Sequence, residues 1–218
     1  MTALSTPAVD LGLLDDVLPL TGADESGGVL AGRKSGGSER ALLRQRLESY
    51  PLGSALGVDF RSLDFMNFSY ADECFGALAQ EMYAGGIKDR YVVLIISPGE
   101  QDDIVEEIQV SLERRKLAMF YAEKAEGAAD LRVVGELPDY LAHTLESVRP
   151  GDTNEILAER LDIKLTTCSN RTDRLARLRL LRKQRRQGAL GYKQFEFFPV
   201  CPPWASRARN PNNLTYEK

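Results

Sequence analysis

Apolar residues recur along the chain with two different periods. Tyr91–Ile96 reads Tyr-Val-Val-Leu-Ile-Ile, closed by Pro98-Gly99. An unbroken run of strand length predicts a strand covered on both faces. Leu56, Val58 and Phe60 alternate with smaller or polar residues and predict another strand, and residues 117–122 and 131–135 predict two more. Between these runs the period becomes helical. Ala71, Phe75, Leu78, Ala79 and Met82 fall at i, i+4, i+7, i+8 and i+11, with Ser69 placed to cap the first turn, Asp72 three residues on as in a capping box, and Gly85-Gly86 as the stop. Ile104, Ile108 and Leu112 form another stripe, and residues 39–49 a further helix ended by Pro51. Strands alternating with helices of this length predict an α/β domain, a sheet layered with helices, over residues 39–136.

The pattern changes after residue 136. Pro138 opens a helix with Leu141, Leu145 and Val148 inward, and Pro150-Gly151 ends it. Asp152 or Thr153 caps a short helix presenting Ile156, Leu157 and Leu161. A turn over 162–165 leads into a third helix, beginning near Thr166 or Thr167, that buries Cys168, Leu175 and Leu178. Strand-like runs at 180–186 and 192–198 surround residues 187–191 and predict a hairpin, so residues 137–199 form a small α+β unit. The ends differ in kind. Residues 1–38, with a Gly- and Ser-rich run over 22–38, are expected to be a flexible segment, its Leu-rich stretch 11–18 being a frayed tail or a short docking helix. Residues 200–218 are expected to be a tail.

Charge sharpens this division. Residues 1–150 hold 14 Lys and Arg against 25 Asp and Glu, net −11, and residues 151–218 hold 14 against 7, net +7. A basic C-terminal third on an acidic body implies a local site for a polyanion. No apolar run reaches the roughly 18 to 20 residues of a membrane span, and the N-terminus lacks the pattern of a secretory leader, so a cytoplasmic protein with no membrane partner is expected. The chain has 3 cysteines, without a CxxC spacing, and 1 histidine, His143. That composition excludes most zinc sites and nearly every His-based triad, so no enzyme, metal or cofactor is expected. Cys74 is expected to pack in the core, and residues 32–37 lack the spacing of a phosphate loop.

In a helix-turn-helix the second helix lies in the major groove and must carry side chains for base edges and phosphates. The third predicted helix of this unit carries Thr167, Ser169, Asn170, Arg171, Arg174 and Arg177 away from its apolar positions. Arginine reads guanine bidentately and asparagine adenine, while Thr and Ser near a helix start bind phosphate. Arg182, Lys183, Arg185, Arg186 and Lys193 on the hairpin suit a wing along the backbone. The plainer alternative is a solvated helix end and a charge-protected edge strand. Residues 152–198, with Thr-Asn-Glu-Ile-Leu-Ala-Glu-Arg-Leu, Thr-Cys-Ser-Asn-Arg-Thr-Asp-Arg-Leu and Tyr-Lys-Gln-Phe-Glu-Phe-Phe, resemble a bacterial winged-helix DNA-binding domain. The resemblance implies phosphate contacts from Thr153, base contacts from Ser169, Asn170, Arg171 and Arg174, and duplex DNA as partner, commonly bound by a homodimer. Asp173 departs from it, since a carboxylate there repels phosphate.

The first block has a resemblance of its own. Val-Asp-Phe-Arg-Ser-Leu-Asp-Phe-Met-Asn-Phe-Ser-Tyr-Ala-Asp-Glu-Cys-Phe-Gly, residues 58–76, is similar to the strand-turn-helix of STAS-like domains, the sulfate-transporter and anti-sigma-antagonist group, in a variant with an acidic pair. The resemblance implies phosphorylation of Ser69 by a kinase-like ATPase and docking of a sigma-factor regulator on a face containing Asp72 and Glu73. Without it, Ser69 is a helix cap and the acidic pair is a favourable charge in a first helical turn. The expected function is a transcriptional regulator whose STAS-like domain receives a signal and whose winged helix binds DNA. A protein-interaction switch using the winged helix for docking is the alternative.

Overall fold

The computed structural model describes residues 11, 14–20, 28–124, 129–187 and 193–200. Strands β1 (Asp16–Pro19), β3 (Ala55–Asp59), β5 (Tyr91–Ile96), β6 (Ala118–Lys124) and β7 (Ala129–Gly135) form a sheet in the order β1-β3-β5-β6-β7. The first four are mutually parallel, and β7 returns antiparallel to β6. Two-residue strands β2 (Val29–Leu30) and β4 (Phe65–Met66) pair separately. Every position of β5 is buried, as an unbroken apolar run at the centre of a sheet requires.

Helices α1 (Arg33–Ser49), α2 and α3 (Asp102–Arg114) connect the parallel strands. Each step moves one strand along the sheet, so right-handed crossovers stack the helices on one face. Helix α2 comprises Phe68–Ala71, a π-helical turn over Asp72–Gly76, and Ala77–Ala84. The π turn admits one extra residue. Gly76 lies within it against Ser111 of α3 and Arg115 just past its end, where a Cβ would have no room.

The expectation of a flexible segment over 1–38 fails for much of its length. Asp16–Pro19 is an edge strand of the main sheet, and residues 33–38 of the Gly-rich stretch form the first turns of α1. Glycine in a helix costs about 1 kcal/mol relative to alanine, but at Gly36 it permits a close approach. A Cβ at Gly36 would lie 2.8 Å from the Tyr70 carbonyl oxygen, so this glycine joins two helices. Residues 1–10, 12–13, 21–27 and 201–218 lie outside the described residues, and with them most of the expected tail. Among the described residues no helix is long and apolar enough to cross a membrane.

The C-terminal elements are α4 (Asp139–Ser147), α5 (Asn154–Leu161), α6 (Leu165–Arg177) and the hairpin β8 (Leu181–Gln187) and β9 (Lys193–Pro199). The described residues thus form a mixed α/β structure with six helices and a mixed sheet. Buried apolar side chains run without a break from the sheet into the C-terminal block. Leu178 faces Ala79, Met82, Val92, Met119 and Phe120 across a small void.

Candidate nucleic-acid interface

Thr153 caps α5, its hydroxyl accepting from the Ile156 amide at 3.5 Å. Just before it, buried Asp152 receives Arg160 through both carboxylate oxygens, one at 2.8 Å, and the Arg149 amide at 2.7 Å. The Asp152 backbone also pairs with Phe197 of β9. The hairpin is thereby fixed to the start of α5. Asp162 in the left-handed conformation (φ 51°) turns the chain into α6.

On α6, Cys168, Thr172 and Leu175 are buried. Thr172 is polar yet fully buried, its single hydroxyl proton shared between two acceptors, Asn154 Oδ1 of α5 (2.9 Å) and the Ser169 carbonyl (3.0 Å). The opposite face exposes Thr166, Asn170, Asp173 and Arg177. The proposed contacts therefore separate by helix phase. Asn170 faces solvent and Thr167 is half-exposed beside it. Ser169 instead points to α5, where its hydroxyl accepts from Asn154 Nδ2 at 3.5 Å. Arg171 and Arg174 lie on the flank towards α4. The Arg171 guanidinium sits 5.2 Å from the Tyr140 ring centroid and donates to Thr144 Oγ1 at 3.4 Å, while Arg174 donates to Tyr140 Oη at 3.0 Å.

Other predicted contacts are committed within the protein. Thr153 is 8% exposed and its oxygen is occupied by capping, which opposes the expected phosphate contact. Arg177 packs 4.2 Å from the Tyr83 ring of α2. Arg182 turns inward over the Tyr91 ring at 5.3 Å and donates to the Val200 carbonyl at 3.3 Å, so it is no wing residue. The hairpin alternates faces, and Arg182 falls on the side turned towards the sheet. Arg186 is exposed but paired with Glu196 at 2.6 Å. Arg185 is exposed. Lys193 opens β9 opposite Gln187, and its side chain lies outside the described residues, as do 188–192 at the hairpin tip. Lys183 pairs with Asp173 at 2.6 Å, so the carboxylate that disturbs the cationic face is neutralised by the hairpin.

The acidic pair in α2 also departs from expectation. Asp72 is buried between helices, accepting from Arg115, from Ser111 Oγ at 3.1 Å and from Arg33 at 3.4 Å. Arg115, foremost among these contacts, holds its carboxyl below the ordinary carboxylate range. Glu73 pairs with Arg40 at 3.1 Å and Arg33 at 3.7 Å. Asp72 binds this chain's own α1 and the C-terminal end of α3, and Glu73 binds α1, so they form no free acidic docking face. Asn67, not Ser69, caps α2: its Oδ1 accepts from the Tyr70 amide at 3.0 Å. Ser69 is a half-buried residue of the first helical turn. The Cys74 thiol is buried and burial raises its pKa well above the ordinary range; burial raises that of Cys168 too. His143 is exposed on α4. Ile156, expected to face inward, is 47% exposed because Leu157 and Ala158 take the buried positions of α5.

Tyr140 was missing from the sequence-derived site. It lies beside the apolar stripe of α4 that Leu141 and Leu145 define, and an aromatic residue off the buried stripe was the available signal. No protein-family model matches the sequence, and no curated protein matches it at a significant level.

Proposed function

We propose that the protein is a DNA-binding transcriptional regulator. Its C-terminal unit, of the winged-helix kind, lays the N-terminal half of α6 in the major groove of duplex DNA, and its α/β layer, of the STAS-like kind, receives the controlling signal. The observation that carries this reading is the accessible start of α6, where Thr166, Thr167 and Asn170 stand beside Arg171 and Arg174. The C-terminal end of the same helix is tied to α2 through Arg177 and Tyr83, so the free end is the one whose residues meet base edges in such motifs. Arg185 on the hairpin adds a cation for the flanking backbone. The layer also meets the turn that follows this helix, since Arg179 donates to the Ile87 carbonyl at 2.8 Å; that joint offers a route by which a signal changes the pose of α6. Docking by an acidic face of α2 is disfavoured, because Asp72 and Glu73 are already engaged.

Fluorescence anisotropy with labelled genomic duplexes tests the proposal. Binding at low salt that weakens steeply with added salt is expected. Asn170→Ala should relax discrimination at one base pair at a cost of about 1–3 kcal/mol, and Arg185→Ala should weaken all sequences alike. Failure to bind any duplex at low salt would refute the proposal.

A further inference from the structure

The cleft between α4 and α6 is lined by Tyr140, Leu141, Thr167, Asn170, Arg171 and Arg174. Leu141 is fully buried, while the Tyr140 side of the cleft is open to solvent. Arg171 is held against the tyrosine ring and Thr144 Oγ1, and Arg174 against the tyrosine hydroxyl. Both hydrogen-bond partners are neutral oxygens. Among the described residues neither guanidinium lies within ion-pair distance of a carboxylate, unlike Arg160 and Arg186 in the same C-terminal block. Two uncompensated cations on successive turns of one helix flank, each with donors to spare, form a preorganised seat for an anion.

Their direction decides which anion. A guanidinium that reads guanine must extend from the outer face of α6, where Thr166, Asn170, Asp173 and Arg177 project. Those of Arg171 and Arg174 are folded sideways on to α4, beside the groove-facing surface. Taken with the DNA-binding reading, on which it rests, this geometry points to a seat for one backbone phosphodiester at the rim of the major groove: we infer that Arg171 and Arg174 hold its non-bridging oxygens and that Tyr140 is a positioning residue for both. The two arginines thus set the register of α6 on the duplex, and base discrimination falls to Asn170 and its neighbours.

The test measures affinity of the full chain for two mixed-sequence duplexes of unrelated sequence over a salt series. The R171A/R174A variant is expected to lower the slope of log K against log salt by about 1 for the lost phosphate contact, with the same fold-loss on both duplexes. Tyr140→Phe, which keeps the ring but frees Arg174, should lose part of that affinity equally on both. Scanning single methylphosphonates through a duplex should reveal a position whose neutralisation weakens the wild type but not R171A/R174A, which locates the contact on the DNA. An unchanged slope, or a loss confined to one duplex sequence, overturns the phosphate assignment while leaving DNA binding standing. Saturable binding of inorganic phosphate alone that R171A/R174A abolishes, with duplex affinity unmoved, overturns it in favour of a small-anion pocket. A wild-type protein that binds no duplex removes the underlying reading, and the inference with it.

Discussion

Replacing Asp72 by Ala separates an acidic residue that faces a partner from one that holds the protein's own helices together. Its side chain is 11% exposed, and its carboxylate is shared by Arg115, Ser111 and Arg33. Removing one member of a fully buried ion pair costs about 3–5 kcal/mol, because the survivor remains out of water. Here Arg33 and Arg115 keep 61% and 26% of their side-chain exposure and rehydrate in part, so about 2–3 kcal/mol is expected. Glu73 makes more open pairs, and Glu73→Ala should cost about 0–1 kcal/mol. Urea unfolding at neutral pH, with the slope of free energy on denaturant unchanged, measures both. In thermal melts Asp72→Ala should lower Tm by about 5–10 °C for a chain of this size. Acid provides a second check. The folded-state pKa of Asp72 lies below the unfolded value of 3.8, so its stabilisation is complete above the unfolded value and is lost as pH falls through the folded one. The stability gap between wild type and Asp72→Asn should therefore close on acidification from 3.8 downwards. A cost below about 0.5 kcal/mol for Asp72→Ala, or equal costs for Asp72→Ala and Glu73→Ala, would refute the helix-joining role.

Three further outcomes follow from the same geometry. Asn67→Ala should cost about 1 kcal/mol through loss of the α2 cap, and Ser69→Ala a few tenths; urea titrations giving the reverse order would reinstate Ser69 as the cap. Asp152→Ala should cost about 2–4 kcal/mol and Asp152→Asn less, since the amide still accepts from Arg149; calorimetry showing both as neutral would remove the clasp between hairpin and α5. In a Cys201→Ser background, Cys74 and Cys168 should resist maleimide at neutral pH until the protein unfolds, because burial keeps both thiols protonated and covered. Labelling of either at the rate of a free thiol in the native state would contradict their placement.

Most of the layer was legible because its elements are long and periodic. Tyr91–Ile96 forms β5 with the predicted bounds, and Ile104, Ile108 and Leu112 face the core from α3. The failures come from residues whose local propensity is overridden by a distant contact. Glycine at position 36 signals a linker when only neighbours in sequence are considered, and becomes a packing requirement once Tyr70 lies across from it. Ser69 is a good cap by residue type, but Asn67 occupies the capping position and its side chain also receives the Gly32 amide at 3.2 Å. The capping bond thus also ties α2 to the entry of α1, a long-range advantage invisible to a four-residue pattern.

The candidate interface shows the same limit in a different form. Counting arginines marks the C-terminal third as basic, but a count assigns every cation the same role. In the folded protein, helix phase divides the predicted contacts of α6 into Asn170 facing outward, Ser169 against α5, and Arg171 with Arg174 against α4. Alternation along the hairpin likewise separates exposed Arg185 from Arg182, which covers Tyr91. Arginine's aliphatic stem and planar head make it a packing residue as readily as a ligand for phosphate. Net charge thus marks where cations concentrate along the chain, and it takes the direction of each guanidinium to distinguish those that pack within the protein from those that face solvent.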